Sequence, residues 1–340
     1  MIKKIFTYLK NTIIGEYKFI IFLVLLYIIL QWPLNYYIIT GGGSSDVSSR
    51  ISVEDKYNSK GSFNISYVSE LKGTVLTYLL SYVVPSWERE SADEYKYSTK
   101  ESIDDIEFRS DLDLLTSNGT ATYWAYKLAN KEVEEIESKL YVIIVYDGFE
   151  TNLKVGDEVL SINDKTYDTV NKYRDYMQTL HKDDEVKVIV KRNNSIKEVK
   201  TKLHENKDRL VLGVGLQYVR KYKTNPKVEI KFRNSESGPS GGLISTLEIY
   251  NQLTKKDLTK GKKIVGTGTI EEDGAIGQIG GVEHKLLGAV QAKADIFLVP
   301  DGKNYEEALK YKKDKNLKIK IINVKTIEEA ITKLEDLKWE

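Results

Sequence analysis

A serine stands between glycines at the point where a helical pattern begins. Residues 238–242 read Gly-Pro-Ser-Gly-Gly, and apolar residues then recur with helical spacing. The first turn of a helix presents free backbone N–H groups, and glycines leave room around a hydroxyl. A nucleophile beside an oxyanion hole needs both features, so Ser240 is a candidate nucleophile, and the backbone N–H groups of Ser240, Gly238 and Gly241 are candidate oxyanion donors. A serine that only caps the helix fits the same pattern.

A serine nucleophile needs a base, and two candidates lie downstream. His284 and Lys285 are adjacent in a helix predicted over residues 282–293. Their side chains diverge by about 100°, so only one of them can face Ser240. Lys285 lies at the edge of the apolar stripe among small residues, where an amine loses water and its neutral form is favoured. Lys285 is the predicted base, whereas His284 would make a Ser-His site like that of the α/β-hydrolases.

Composition excludes several other kinds of site. The 340 residues contain no cysteine and three scattered histidines, so neither a thiol nucleophile nor a metal centre is expected. The formal net charge of +1 gives no field for binding nucleic acid. No stretch fits the phosphate-binding GxxxxGK[ST] pattern, so we expect no ATP and no cofactor.

The N-terminal region predicts a membrane anchor. Phe19–Leu30 is an unbroken apolar run, which the following residues QWPLNYYII extend to about 20 residues, enough to span a bilayer. Four lysines precede the run, and no Lys or Arg follows it until Arg50. This bias predicts a single-pass protein of the cell membrane with a cytoplasmic N-terminus and an extracytoplasmic remainder. The alternative is a cleaved signal peptide. The Gly/Ser-rich residues 41–60 are predicted to be a linker.

The rest of the chain shows two kinds of sequence pattern. Residues 209–340 alternate strand and helix patterns, which predicts an α/β domain. Residues 61–134 carry a strand and helices that we assign to the first part of the same domain, and residues 135–208 are rich in short strands. The predicted divisions are therefore an anchor over 1–40, a linker over 41–60, and segments over 61–134, 135–208 and 209–340.

Residues 135–208 resemble a PDZ domain, most clearly in the stretch LKVGDEVLSIN at 153–163. The resemblance implies a small β-barrel that adds a peptide to its sheet edge and holds the peptide's carboxylate on backbone N–H groups. The carboxylate loop is expected just before Tyr141, where this chain has a lysine in place of the usual glycine. The candidate peptide-binding residues are Lys139, Leu140, Tyr141 and Val142. A spacer that binds nothing is the alternative.

A second resemblance joins the serine to the lysine. GPSGG, followed 45 positions later by the lysine of IGGVEHKLLGAVQAKADIFLVP, is similar to the Lon-type serine–lysine peptidase domain. The resemblance implies that Ser240 attacks the peptide carbonyl and that Lys285 takes its proton. It also implies that Thr267, in VGTGTI, supports the pair. Without an ATPase motif, the enzyme is expected to cut short, exposed or unfolded segments.

Anchor, PDZ-like module and peptidase domain together resemble the membrane-anchored Lon-like serine proteases of Gram-positive bacteria. The expected fold is an α/β (α+β) Lon-type domain with a small PDZ-like β-barrel inserted at about 135–210 and one N-terminal transmembrane helix. The expected partners are peptide or protein substrates and the membrane, and the sequence leaves a homo-oligomer open. The rival functions are a non-catalytic PDZ-containing scaffold and a Ser-His α/β-hydrolase.

Overall fold

The computed structural model describes residues 15–84, 86–233 and 235–338, and it divides into two compact units. The first unit comprises the described part of residues 1–41 together with 69–95, and the second comprises 42–68 and 96–338. The helices are α1 (Tyr17–Leu30), α2 (Val75–Leu80), α3 (Ile103–Leu128), α4 (Val170–Met177), α5 (Gly242–Leu253), α6 (Val282–Gln291), α7 (Lys303–Asp314) and α8 (Ile327–Asp336). The strands are β1 (Pro33–Asp46), β2 (Ile51–Val53), β3 (Ser62–Thr74), β4 (Glu88–Ser91), β5 (Glu132–Val145), β6 (Glu158–Ile162), β7 (Glu185–Arg192), β8 (Ser195–Lys202), β9 (His204–Asn206), β10 (Arg209–Val211), β11 (Val214–Asn225), β12 (Val228–Ile230), β13 (Lys263–Gly266), β14 (Ile296–Pro300) and β15 (Lys320–Val324).

In the first unit, the apolar helix α1 ends at Leu30 and strand β1 begins at Pro33. The prediction that the helix continues through residues 31–39 is therefore wrong. Proline disfavours helical backbone in the residue before it, and the aromatic and β-branched residues that follow favour a strand. Residues 36–39 of β1 pair antiparallel with β4. Within the described ranges, no helix is both long and apolar enough to cross a membrane. Lys3, Lys4 and Lys10 of the predicted cytoplasmic stub lie outside these ranges.

Residues 41–60 do not form the predicted linker. Strand β1 continues through the Gly-rich residues to Asp46, and β2 follows and pairs antiparallel with β12. Val47 and Ile51 have no exposed surface and belong to the main hydrophobic core of the second unit. Gly42 and Gly43 lie in close contact with neighbouring residues, which composition alone cannot distinguish from flexibility.

A parallel sheet organises the peptidase-like part of the second unit. Strands β15, β14, β13 and β3 lie side by side in that order, and all three pairs are parallel. Alternate side chains point to opposite faces of such a sheet. Ile264 and Leu298 accordingly pack in the core that contains α3, α5 and α8. Val265 and Val299 pack in a second core, with α6 and α7. The α/β expectation for this part is confirmed.

Residues 132–225 contain a separate five-stranded antiparallel sheet in the order β11, β5, β6, β7, β8. Its core includes Leu140 and Val188, and α4 packs against it through Tyr173 and Met177. Asp157, at the Gly-Asp turn that the sequence singled out, is fully buried. Arg192 at the end of β7 donates to both oxygens of this carboxylate at 2.6 Å. This ion pair ties the turn before β6 to the end of β7.

One core contains residues that come before the five-stranded sheet in the sequence and residues that come after it. Phe63 and Trp124 precede the sheet in sequence, Leu243 and Ile264 follow it, and all four pack in the same cluster. The chain thus leaves this core after α3 and returns to it after β11. Helix α3, whose N-terminus carries a capping box between Ser102 and Asp105, contributes to this core and also contacts β11.

Asp157→Asn tests the buried ion pair. The substitution leaves the Arg192 guanidinium, which is 20% exposed, without its carboxylate, and we expect the free energy of unfolding to fall by about 3 kcal/mol. The measurement is urea unfolding of the protein followed by circular dichroism. Asp164→Asn is the matched control, because its pair with Lys187 is exposed and should contribute little to stability. Equal losses for both variants would contradict the assignment.

Candidate functional site

The Ser240 turn is held by helix α3. Gly238 has φ +82°, a left-handed conformation that favours glycine, and its N–H donates to the Ser110 carbonyl at 2.8 Å. The Pro239 carbonyl accepts from the Ser117 hydroxyl at 3.1 Å. Both partners lie on α3, seven residues apart and hence on nearly the same face of the helix. The turn is therefore fixed on a rigid element on both sides of its proline.

Ser240 lies at the carboxyl end of β13. Its carbonyl accepts from the Gly268 N–H at 2.8 Å and from the Thr267 hydroxyl at 3.2 Å. Thr267 is fully buried, and its own N–H donates to Leu298 of the neighbouring strand. The structure thus brings Ser240 and Thr267 together, with the threonine acting on the main chain of the serine. The Ser240 side chain is half-buried.

The glycines after Ser240 are required by close contacts. A Cβ at position 241 would lie 2.8 Å from Ile65 Cδ1, and a Cβ at 242 would lie 2.6 Å from both Ile270 and Ser117. Helix α5 starts at Gly242 and is buried over its whole length. A side chain at 241 would displace the end of the Ile65 side chain, whereas one at 242 would also meet the Ile270 backbone N at 2.9 Å and push the start of α5 away from α3.

The three predicted oxyanion donors differ in whether their N–H groups are already hydrogen-bonded. Among the hydrogen bonds between described residues, none uses the N–H of Ser240 or of Gly241. Gly238 was predicted to contribute as well, but its N–H is already bound to Ser110. A group engaged at 2.8 Å in the resting turn is not available to an oxyanion, so Gly238 instead shapes the turn.

Lys285 lies on the buried face of α6. Only 6% of its surface is exposed, although it is a lysine, whereas His284 beside it is half-buried. The Lys285 carbonyl accepts from the hydroxyl of Ser66 at 2.7 Å, and Ser66 is itself fully buried in β3. Of the two base candidates, Lys285 is therefore the one that α6 turns towards the protein interior.

Strand β1 crosses α6 in direct backbone contact. A Cβ at Gly42 would lie 2.0 Å from the His284 carbonyl, and a Cβ at Gly288 would lie 2.6 Å from the backbone N of Gly43. Only glycine permits such an approach. Gly42 and Gly288 therefore let β1 lie against the helix that carries Lys285.

Two consecutive residues of β3 contact the Ser240 turn and the Lys285 helix. Ile65 pairs with Gly266 of β13 and packs against Gly241, whereas the next residue, Ser66, bonds to the Lys285 carbonyl. Consecutive strand residues point to opposite faces of the sheet. The Ser240 turn and the Lys285 helix consequently lie on either side of the same point of β3, next to the end of β13.

The peptide-binding segment predicted at 139–142 is wrong. Lys139, Leu140, Tyr141 and Val142 lie in β5, which pairs with β11 on one side. On the other side Leu140 and Tyr141 pair with β6, and the N–H of Val142 donates to Asp157. A strand with partners along both sides has no edge to offer a peptide, and Leu140 and Val142 are core residues.

Sequence reasoning missed the exposed side of β11. Strand β11 is the edge of the five-stranded sheet, and a cleft of about 70 Å³ lies between its start and α4. Gly213, with φ +73°, precedes the strand and begins the sequence Gly-Val-Gly-Leu. A glycine-rich turn at a strand edge can present N–H groups to an anion, and this spacing was the available signal. The cleft is lined by Val170, Arg174, Met177, Leu210, Val211, Leu212, Val214 and Leu216.

Helix α3 also contacts this edge strand. Gln217 of β11 donates to the Asp113 carboxylate at 3.0 Å and to Thr116 Oγ1 at 2.9 Å. Thr116 in turn donates to the Tyr218 carbonyl at 3.3 Å. Burial raises the pKa of Asp113 above its ordinary value, with the Gln217 hydrogen bond opposing the change. Polar contacts therefore join α3 to the strand that borders the cleft.

No metal centre competes with this site in the described ranges, where no group of three or more His, Cys, Asp or Glu residues could hold an ion.

The comparisons with known proteins bear on both parts of the molecule. Residues 131–203 match the sequence model of the PDZ domain, and residues 232–335 match that of the Lon protease (S16) C-terminal proteolytic domain.

The individual relatives align with only part of this chain. A Lon protease of Trichlorobacter lovleyi is 31% identical over 96 residues, which are 28% of this chain and 11% of that protein. The chain thus spans about a tenth of that relative's length. The crystal structure of the PDZ domain of an SdrC-like protein from Listeria monocytogenes is 22% identical, with a TM-score of 0.23. It covers 24% of this chain and 92% of that domain.

Both domain types therefore have independent sequence support, and the candidate residues Ser240, Thr267 and Lys285 all fall within the second match. The chain thus combines a region that matches the PDZ domain with a region that matches the proteolytic domain of Lon proteases.

Proposed function

We propose that this chain is an ATP-independent serine endopeptidase in which Ser240 is the nucleophile and Lys285 the general base. The observation that carries the proposal is the pair of contacts at β3, where Ile65 packs against the Ser240 turn and Ser66 holds the helix of Lys285. Lys285 is 6% exposed, and burial away from water is the general condition under which a lysine can act as a base.

The proposed reaction is an acyl transfer in two stages. Lys285 takes the proton of the Ser240 hydroxyl as the oxygen attacks the peptide carbonyl, and then gives that proton to the leaving amine. The N–H groups of Ser240 and Gly241 stabilise the oxyanion, a contribution worth on the order of 10²–10³ in rate for each donor. Water then hydrolyses the acyl-enzyme. Thr267 acts as a positioning residue through the Ser240 carbonyl.

Substitutions of the two reacting groups test this mechanism. We expect Ser240→Ala and Lys285→Met each to lower kcat/KM for an unfolded protein substrate by at least about 10⁴-fold, because either change removes the nucleophile or its activation. Cleavage is followed with fluorescein-labelled casein, and circular dichroism checks that each variant folds.

His284→Ala is the matched control for this test, since it changes the adjacent residue of α6. It should retain most of the activity. Loss of activity in His284→Ala with retention in Lys285→Met would favour the Ser-His hydrolase. Binding of substrate without any cleavage by the unaltered protein would favour the non-catalytic scaffold.

We further propose that the cleft between α4 and the start of β11 takes the C-terminal end of a peptide. A peptide can add to the edge of β11 by main-chain hydrogen bonds, with its carboxylate at the turn of Gly213. Arg174 lines the cleft and supplies a positive charge, and Val214 and Leu216 supply an apolar wall. The preferred ligand is therefore a chain end with a free carboxylate and an apolar last residue.

Arg174→Glu tests this mode of capture. We expect it to weaken binding of a peptide with a free C-terminal carboxylate about tenfold, because an attractive charge becomes repulsive, and to affect the amidated peptide much less. Fluorescence polarisation gives both Kd values. Lys172→Glu is the control on the same helix, since Lys172 does not line the cleft and pairs with Asp168. An equal loss in both variants, or no preference for the free carboxylate, would refute the proposal.

We also propose that the chain is anchored in the cell membrane through α1, with the catalytic domain extracytoplasmic. Phe19–Leu30 carries no charged residue, and α1 has no buried residue. The lysines before this run and their absence after it, up to Arg50, support a cytoplasmic N-terminus. The substrates would then be exported peptides or unfolded and membrane-protein segments.

A further inference from the structure

The first unit exposes an apolar surface outside α1. We name it the α2 patch: Trp32, Leu79, Leu80, Tyr82 and Val83. Val83 is 76% exposed, Tyr82 65% and Trp32 63%. Single apolar side chains on a surface are common, but a contiguous group of large ones marks a contact site.

The α2 patch is continuous with α1. The N–H of Val75, the first residue of α2, donates to the carbonyl of Trp32 at 3.1 Å, two residues beyond the end of α1. Helix α2 therefore starts where the apolar helix ends. Residues 19–29 of α1 are all at least 36% exposed, so the two elements present one uninterrupted apolar surface within this unit.

The charge distribution around α2 suits the boundary of a bilayer. No Asp, Glu, Lys or Arg occurs from Gly73 to Trp87, whereas Lys72 and Glu88 flank this stretch. The guanidinium carbon of Arg89 lies 4.0 Å from the centre of the Tyr82 ring. Aromatic rings with a cation nearby are typical of the layer between hydrocarbon and water.

The backbone of this segment needs little water. The N–H groups of Ser81, Tyr82, Val83 and Val84 all donate to carbonyls within α2 and its final turn. The hydroxyl of Ser81 donates to the Tyr78 carbonyl at 2.6 Å. A segment whose polar groups are paired internally can enter a water-poor layer without losing hydrogen bonds.

We propose that α2 and its final turn lie in the interfacial layer of the bilayer that α1 enters, as a second membrane contact. This rests on the proposed anchoring through α1. The occupant of the α2 patch is lipid, because the patch continues the surface of an apolar helix and mixes leucine and valine with tyrosine and tryptophan. A segment of this kind lies flat at the headgroup level instead of spanning the membrane.

The absence of cysteine allows a direct test with single labels. Val83→Cys, Leu25→Cys and Ile196→Cys are each labelled with an environment-sensitive fluorophore in the full chain, which is reconstituted into phosphatidylcholine vesicles. Lipids carrying a nitroxide near the headgroup or deep in the acyl chain serve as quenchers. We expect the Val83 label to lose about twofold in intensity with the shallow quencher and less with the deep one. The Leu25 label should respond most to the deep quencher.

Ile196 is the control for surface adsorption, since it is an apolar residue of the five-stranded domain with 72% exposure, close to that of Val83. Its label should not be quenched, and quenching equal to that of Val83 would overturn the proposal. Leu79→Cys repeats the measurement at a second position in case Val83→Cys does not fold.

The remaining outcomes separate this inference from the anchor. Quenching at Leu25 without quenching at Val83 and Leu79 would overturn the second contact and leave the anchor intact. Quenching at none of these positions would refute both. A disulfide that forms between two Val83→Cys chains, together with absent lipid quenching, would show that a second copy of the chain covers the α2 patch.

Discussion

The carbonyl of Ser240 accepts two hydrogen bonds from the end of β13, and the geometry of the site depends on this contact. The bonds fix the main chain of the serine to a buried strand. Helix α3 holds the two preceding residues of the turn, through Ser110 and Ser117. A reacting group must be placed to within about 0.5 Å, and bonds to regular elements achieve this better than a mobile loop does.

The position of Lys285 depends on a different constraint, the absence of side chains where β1 meets α6. Gly42 and Gly288 allow the strand and the helix to touch, and Ser66 fixes the helix to β3 by a hydrogen bond to Lys285 itself. The serine is thus located through the end of β13 and the lysine through β3. Because these strands pair directly, a shift of one would move both groups together.

The sequence was informative where the chemistry demands local patterns. The Gly-Pro-Ser-Gly-Gly turn, the lysine helix and the Gly-Asp turn of the PDZ domain could all be recognised from neighbouring residues. The peptide-binding segment could not, because whether β5 is an edge or an interior strand depends on its pairing with β11, about 75 residues later in the chain. The prediction of a linker at 41–60 was wrong for a similar reason. Gly42 is required by a contact with the helix at His284, more than 200 residues later in the chain.

Helix α3 carries contacts to both halves of the proposed machinery within two turns. Ser110 and Ser117 hold the serine turn, and Asp113 and Thr116, between them, bond to the edge strand of the PDZ domain. Seven residues of helix measure about 10 Å. On the proposed function, so short and stiff a connection would fix the distance between a bound peptide C-terminus and the bond that is cut. The proposed enzyme would then cleave each substrate at a fixed number of residues from its C-terminus.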